Sequence, residues 1–121
     1  MSGNEQADRP ERLPVAHRAV DGIRVVTLHG EIDHTGKDVL RDALIQHEAG
    51  TPPRVVADMS GVRFMDSSGI NVLVFAYQHL ADAQGWLRIA APQESVQRVL
   101  SLIGVDAVIG CRPTLEQVLT A

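Results

Sequence analysis

Two β-branched runs meet at Asp21-Gly22, and from there strand-like and helix-like stretches alternate to the end of the chain. Residues 15–20 and 23–29 flank a two-residue hairpin signal and are expected to pair antiparallel, with Gly30 closing the second strand. Thr35-Gly36-Lys37-Asp38 has the form of a capping box and opens a helix with Val39, Leu40, Ala43 and Leu44 inward. Gly50-Thr51-Pro52-Pro53 ends that helix. Residues 54–59 form a short apolar strand, followed by a loop over 60–66 and a helix over 68–84 that Gly85 stops. Residues 86–90 make another strand. Pro92 and Gly104 bracket a third helix, 107–110 is a last short strand, and 113–117 starts a closing helix. Alternation after one hairpin implies an α/β domain with a mixed, largely parallel sheet of four to five strands and about four helices.

A chain of 121 residues with 45% hydrophobic content is the size of one domain and buries a core. Aromatics are 3%, so Val, Leu, Ile and Ala must fill it. Residues 1–12 are polar and read as a flexible N-terminal tail ahead of a domain over 13–121. The net charge is −4 and no Lys/Arg cluster occurs, which disfavours nucleic acid and anionic membranes as partners. Lys37 is the one lysine, a bias ascribed to genome composition. The single cysteine, Cys111, cannot close an internal disulfide, and no run of signal-peptide or membrane-span type occurs. These features suggest a cytoplasmic protein.

In a parallel sheet, sites gather at the carboxyl ends of the strands. Connectivity therefore brings the loop 30–34, with Asp33, close to the loop ending in Asp66-Ser67. Asp66, Ser67 and Ser68 are all helix-capping residues where a helix must start, and either Asp66 or Ser67 serves as the N-cap. A serine there also faces solvent at the positive end of the helix dipole. Phosphate on Ser67 would suit that position and add about −1.5 to −2 charge. With Asp66 adjacent, and Asp33 and Asp58 expected on the same edge, the modified edge would repel an acidic partner.

The run Phe64-Met65-Asp66-Ser67-Ser68-Gly69-Ile70 resembles the signature of the bacterial anti-sigma factor antagonists, the STAS domain family. Leu28-His29-Gly30-Glu31-Ile32-Asp33-His34 resembles the family's second motif, and the element order matches from about Val15 onward. The resemblance implies that Ser67 is the phosphoacceptor, flanked by Asp66, Ser68 and Gly69, with Asp33 in a partner-binding loop. It implies a partner of the GHKL ATPase type, an anti-sigma factor serine kinase that also holds a sigma factor inactive. Unphosphorylated antagonist binds that kinase and frees the sigma factor, and a PP2C-type phosphatase restores this form. It implies no cofactor and no catalytic activity. Asn71 departs from the family, in which many members have glycine. The alternative within the family is a scaffold or accessory module in a stress-sensing complex or a transporter.

At 100° per residue, Ile70, Leu73, Val74, Tyr77, Leu80 and Ala81 share the expected core face of the helix after Ser67. Phe75 lies opposite and, with Asn71 and Val72, is the candidate partner anchor. Rival chemistries lack their motifs. A nucleophile elbow needs glycine where Met65 stands, and neither phosphate-binding glycine loop is present. Asp33, His34 and Asp66 have no ordered metal-ligand spacing, and His17, His47 and His79 read as surface histidines.

Overall fold

A computed structural model describes residues 13–46 and 50–120. The expected tail over 1–12 and His47 lie outside the described residues. Among the described residues, five strands form one sheet in the order β1-β2-β3-β4-β5. They are β1 Val15–Val20, β2 Ile23–Ile32, β3 Arg54–Met65, β4 Trp86–Ala90 and β5 Gly110–Arg112. The helices are α1 Lys37–Ile45, α2 Ser67–Asp82, α3 Glu94–Ile103 and α4 Leu115–Thr120. β1 pairs antiparallel with β2 through the Asp21-Gly22 turn, and every later pairing is parallel. This is the mixed α/β sheet that the hairpin and the alternation imply.

Val26, Leu28, Val55, Ala57, Met59, Leu87 and Ile89 turn to one side of the sheet and meet Leu40 and Leu44 of α1, Leu73 and Leu80 of α2, and Val96 and Leu100 of α3. The other side is covered by α4, where Val118 and Leu115 pack on Ile23, Val25, Val56 and Ala90. Three helices on one face and one on the other leave the carboxyl ends of β2 and β3 at the margin of the main core. Among the described residues, no helix is long and apolar enough to cross a membrane.

Several elements differ from expectation, each for a local reason. β2 runs on past Gly30 to Ile32, and β3 past Met59 to Met65, so the expected loop over 60–66 is mostly strand. The extensions pair with each other beyond the end of β4, with register shifts after Thr27 and Gly30. Such irregularities bend a ribbon, and Gly30 supplies the positive φ (91°) at the second of them. The capping box does not form: His34–Gly36 is a 3-10 turn, and no side chain caps α1. α1 stops at Ile45, before the Gly-Pro segment. Val105–Ala107 is a second 3-10 turn, which moves the last strand to Gly110–Arg112, and the closing helix begins at Leu115.

The buried face of α2 is also rotated. Gly69, Ile70, Val72, Leu73, Ala76 and Leu80 are inside, while Val74 and Ala81 are exposed. α1 lies alongside α2 and covers the Val72 side, which a helical wheel centred on Leu73 and Val74 does not anticipate.

Candidate functional site

β2 and β3 end side by side, with Ile32 opposite Met65. The Asp66 N–H donates to the Ile32 carbonyl at 3.1 Å, continuing the ladder one step past the strand. Asp66 then holds an extended backbone (φ −104°, ψ −171°), and its carboxylate accepts from the Ser68 N–H at 2.8 Å. Its carbonyl accepts from the N–H groups of Gly69 and Ile70, at 3.1 and 3.2 Å. Asp66 is thus the N-cap of α2, and the alternative of Ser67 as cap is closed.

That assignment sets the state of Ser67. It is the first residue of α2 and exposed, and among the described residues its hydroxyl has no hydrogen-bond partner. No acidic side chain occupies the first turn of α2. The local field is the positive helix end, with the Asp66 carboxylate committed to the neighbouring N–H.

Asp33 succeeds β2 as Asp66 succeeds β3. Its carboxylate accepts from the Thr35 hydroxyl at 2.7 Å and from the Thr35 N–H at 3.0 Å. These bonds, the hydroxyl's first and the backbone's second, hold the Asp33 carboxyl below the usual aspartate range. Because β2 and β3 are adjacent, Asp33 and Asp66 stand at neighbouring strand ends, as connectivity predicts. Asp58 does not join them. It lies eight positions back along β3, opposite Thr27 and Ala90, with its carboxylate accepting from the Ser60 N–H at 3.0 Å. The strand expected to end at Met59 runs on to Met65, which leaves Asp58 within it and away from the strand end.

Gly69 fixes how α2 meets the sheet. It is buried, and a Cβ there would stand 2.6 Å from Met65 Cγ and 2.7 Å from Ile32 Cγ2. Its role is close approach, so the helix start seats directly on the last side chains of β2 and β3. Beside it, α1 and α2 enclose a groove of about 370 Å³ lined by Lys37, Asp38 and Arg41 on one wall and Ser68, Asn71, Val72 and Phe75 on the other. Val72 is 9% exposed and forms the floor, whereas Phe75 is 47% exposed and stacks on His79 at 5.8 Å. Of the sequence-predicted set, Asp33, Asp66, Ser67, Ser68, Asn71 and Phe75 have accessible surface at this end of the molecule, while Gly69 and Val72 lie inside it.

The sequence by itself gives Lys37, Asp38 and Arg41 no role in a site. Their spacing puts Lys37 and Arg41 one turn apart on a face of α1, a pattern that also describes any solvated helix face. Among the described residues, no three His, Cys, Asp or Glu side chains gather as a metal site would need, and no histidine hydrogen-bonds Ser67.

The sequence model of the STAS domain family matches residues 15–118. The chain belongs to that family. A curated relative, the anti-sigma-F factor antagonist RsfB of Mycobacterium tuberculosis, is 26% identical over 111 residues, covering 92% of this chain and 90% of that protein. The anti-sigma F factor antagonist of Paenibacillus polymyxa is 30% identical over 87 residues, covering 69% and 73%. Among solved structures, an anti-sigma factor antagonist from Mycobacterium paratuberculosis superposes with a TM-score of 0.81 at 32% identity, covering 92% of this chain and 94% of that one. In this STAS domain, the Asp-Ser-Ser-Gly run is the junction between β3 and α2.

Proposed function

We propose that this STAS domain is a cytoplasmic anti-sigma factor antagonist, switched by phosphorylation of Ser67. The observation that carries the reading is the division of labour at the α2 start. Asp66 does the capping, so Ser67 stands exposed with an uncommitted hydroxyl. The names of the relatives support the same role.

The partner is an anti-sigma factor serine kinase of the GHKL ATPase type, and a PP2C-type phosphatase reverses the modification. In the forward step the Ser67 Oγ bonds to the γ-phosphorus of ATP, the bond to the bridging oxygen breaks, and ADP leaves. The hydroxyl proton passes to a base on the kinase. In the reverse step water cleaves the phosphoester and releases inorganic phosphate. The chain itself supplies a nucleophile and a surface, and no catalytic group.

The docking surface is Asp33, Asp66, Ser67, Ser68, Asn71 and Phe75, with Gly69 and Val72 shaping it from beneath. A phosphate brings about −1.5 to −2 charge to a rim that already holds Asp33 and Asp66. The fold tolerates it at a helix N-terminus, so binding is lost while the domain stays folded. An acidic partner surface then dissociates because like charges are forced together during desolvation.

The test is to incubate the protein with candidate kinases and ATP and to locate phosphate by mass spectrometry. Phosphate on Ser67, constitutive kinase binding by Ser67→Ala, and weak binding by Ser67→Asp are expected. Phosphate on neither Ser67 nor Ser68 with any kinase would return the scaffold or transporter reading.

A further inference from the structure

Resting on that functional reading, we infer that the groove between α1 and α2 is part of the kinase-docking surface, and that it receives an apolar side chain flanked by an aspartate or glutamate of the partner. Its chemistry differs from that of the rim beside it. The rim carries Asp33 and Asp66. The groove adds Lys37 and Arg41, the first of them the chain's single lysine, against one lining acid, Asp38. In a chain of net charge −4, cations outnumber acids along this groove.

Both cations are available. Lys37 and Arg41 are 39% and 42% exposed, and their contacts with Asp38 are long, at 3.8 and 3.4 Å. Arg41 also approaches Asp42 at 3.6 Å. The acids of these pairs are about two-thirds exposed, and pairs so placed are weak and exchange readily for a better-desolvated carboxylate. The opposite wall supplies the apolar half of the match. One of the chain's two phenylalanines, Phe75, is left half outside beside Val72, and exposed aromatics beside a polar rim are typical binding anchors.

Ser68 lines this groove, one residue from Ser67. A partner carboxylate drawn in by Lys37 and Arg41 therefore lies close to the phosphoacceptor. The groove accounts for attraction before phosphorylation, and the same carboxylate supplies the repulsion after it. Arg41 and Lys37 are specificity-determining residues in this scheme, since a partner without the acid gains nothing from them.

The experiment uses the full chain and whichever kinase phosphorylates Ser67 in the mass-spectrometric assay, with binding measured by titration calorimetry at low and physiological salt. The double variant Lys37→Glu/Arg41→Glu is expected to bind about tenfold or more weakly and to lose most of the salt dependence. Asp38→Asn, which frees Lys37 and leaves Arg41 only its contact with Asp42, is expected to bind a few-fold more tightly, an effect that damage to the fold would not produce. If the double variant is unfolded by circular dichroism, Lys37→Gln and Arg41→Gln are measured separately. Wild-type affinity in the charge variants, with Phe75→Ala still weakened, would overturn the acidic partner group assigned to the groove and leave the functional reading standing. Failure of every kinase to modify Ser67 would overturn that reading, and the groove with it.

Discussion

α1 and α2 begin in nearly the same way, at the ends of adjacent strands. Each start reads Asp-x-Ser/Thr-Gly: Asp33-His34-Thr35-Gly36 after β2 and Asp66-Ser67-Ser68-Gly69 after β3. In both, the aspartate is extended and accepts from the N–H two residues on, at 3.0 and 2.8 Å. The two starts differ in the path of the chain beyond the aspartate. After Asp33 the chain makes a 3-10 turn, and the Thr35 hydroxyl is taken by the Asp33 carboxylate. After Asp66 the chain enters α2 at once, and the free hydroxyl falls on the residue between cap and bonded N–H. Capping does not by itself make a switch. A switch needs a cap that leaves a neighbouring hydroxyl unused.

The largest expected effect arises from that contrast. Kinase treatment should place phosphate on Ser67 and leave Thr35 unmodified, and modified protein should fail to co-elute with the kinase on size-exclusion chromatography. Ser67→Ala should co-elute in the presence of ATP and melt within about a degree of wild type, since an exposed, unbonded hydroxyl contributes little to stability. Phosphate on Thr35 as well would erase the distinction between the two starts.

The glycines should separate next. Gly69→Ala forces a Cβ onto Met65 and Ile32, and overpacking of this kind costs about 1–3 kcal/mol. At Gly36 a Cβ would sit 3.5 Å from the Leu13 Cβ, an ordinary contact, and φ is −98°. Gly36→Ala should therefore be neutral or slightly stabilising, through the lost freedom of the unfolded chain. Urea midpoints of the two variants test this, and equal shifts would mean that α2 is not seated more tightly than α1.

The caps come third. Asp66→Ala strands the half-buried Ser68 N–H and should cost about 1 kcal/mol, the usual loss when an N-cap is removed. Asp33→Ala should cost less, because its site is open to water that replaces the lost bonds. Thermal melts in one buffer rank the pair, and a larger loss at Asp33 would reverse the comparison.

Much of the fold is readable from the sequence where local signals agree. β4 matches from end to end, because Gly85 and Pro92 punctuate it, and the hairpin matches because Asp21-Gly22 permits little else. The strand extensions escape notice because Gly30, Glu31, Ser60, Gly61 and Arg63 look like loop residues. Among the strands they pair only with each other, beyond the end of β4, so most of their outward side chains are polar, Phe64 excepted, and the shifts in register break the alternation. The same limit applies at the site. Asp66 and Ser67 announce themselves as a capping run, but which of them caps depends on the extended backbone that β3 imposes. Lys37 and Arg41 look like any solvated helix face until α1 is laid beside α2, and Val74 looks like core until α1 claims the other side.

The smallest effect concerns pH and separates the two aspartates by their partners. The Thr35 hydroxyl and N–H hold the Asp33 carboxyl below its ordinary value, so folding favours its ionised form. The stabilisation is present above the unfolded-state pKa and disappears as the pH falls through the depressed folded-state value. It therefore contributes at neutral pH and weakens only in acid. Thr35→Val removes the hydroxyl, the larger cause, and keeps the backbone bond. Tracked by carboxyl NMR chemical shifts, the Asp33 titration should move up toward the ordinary aspartate range in Thr35→Val, and the Ser67 and Ser68 amide signals should not change at neutral pH. An unmoved Asp33 titration would mean that the backbone bond alone depresses it. The α1 start would then hold its aspartate by the same single bond as the α2 start, and the contrast between them would rest on the free Ser67 hydroxyl alone.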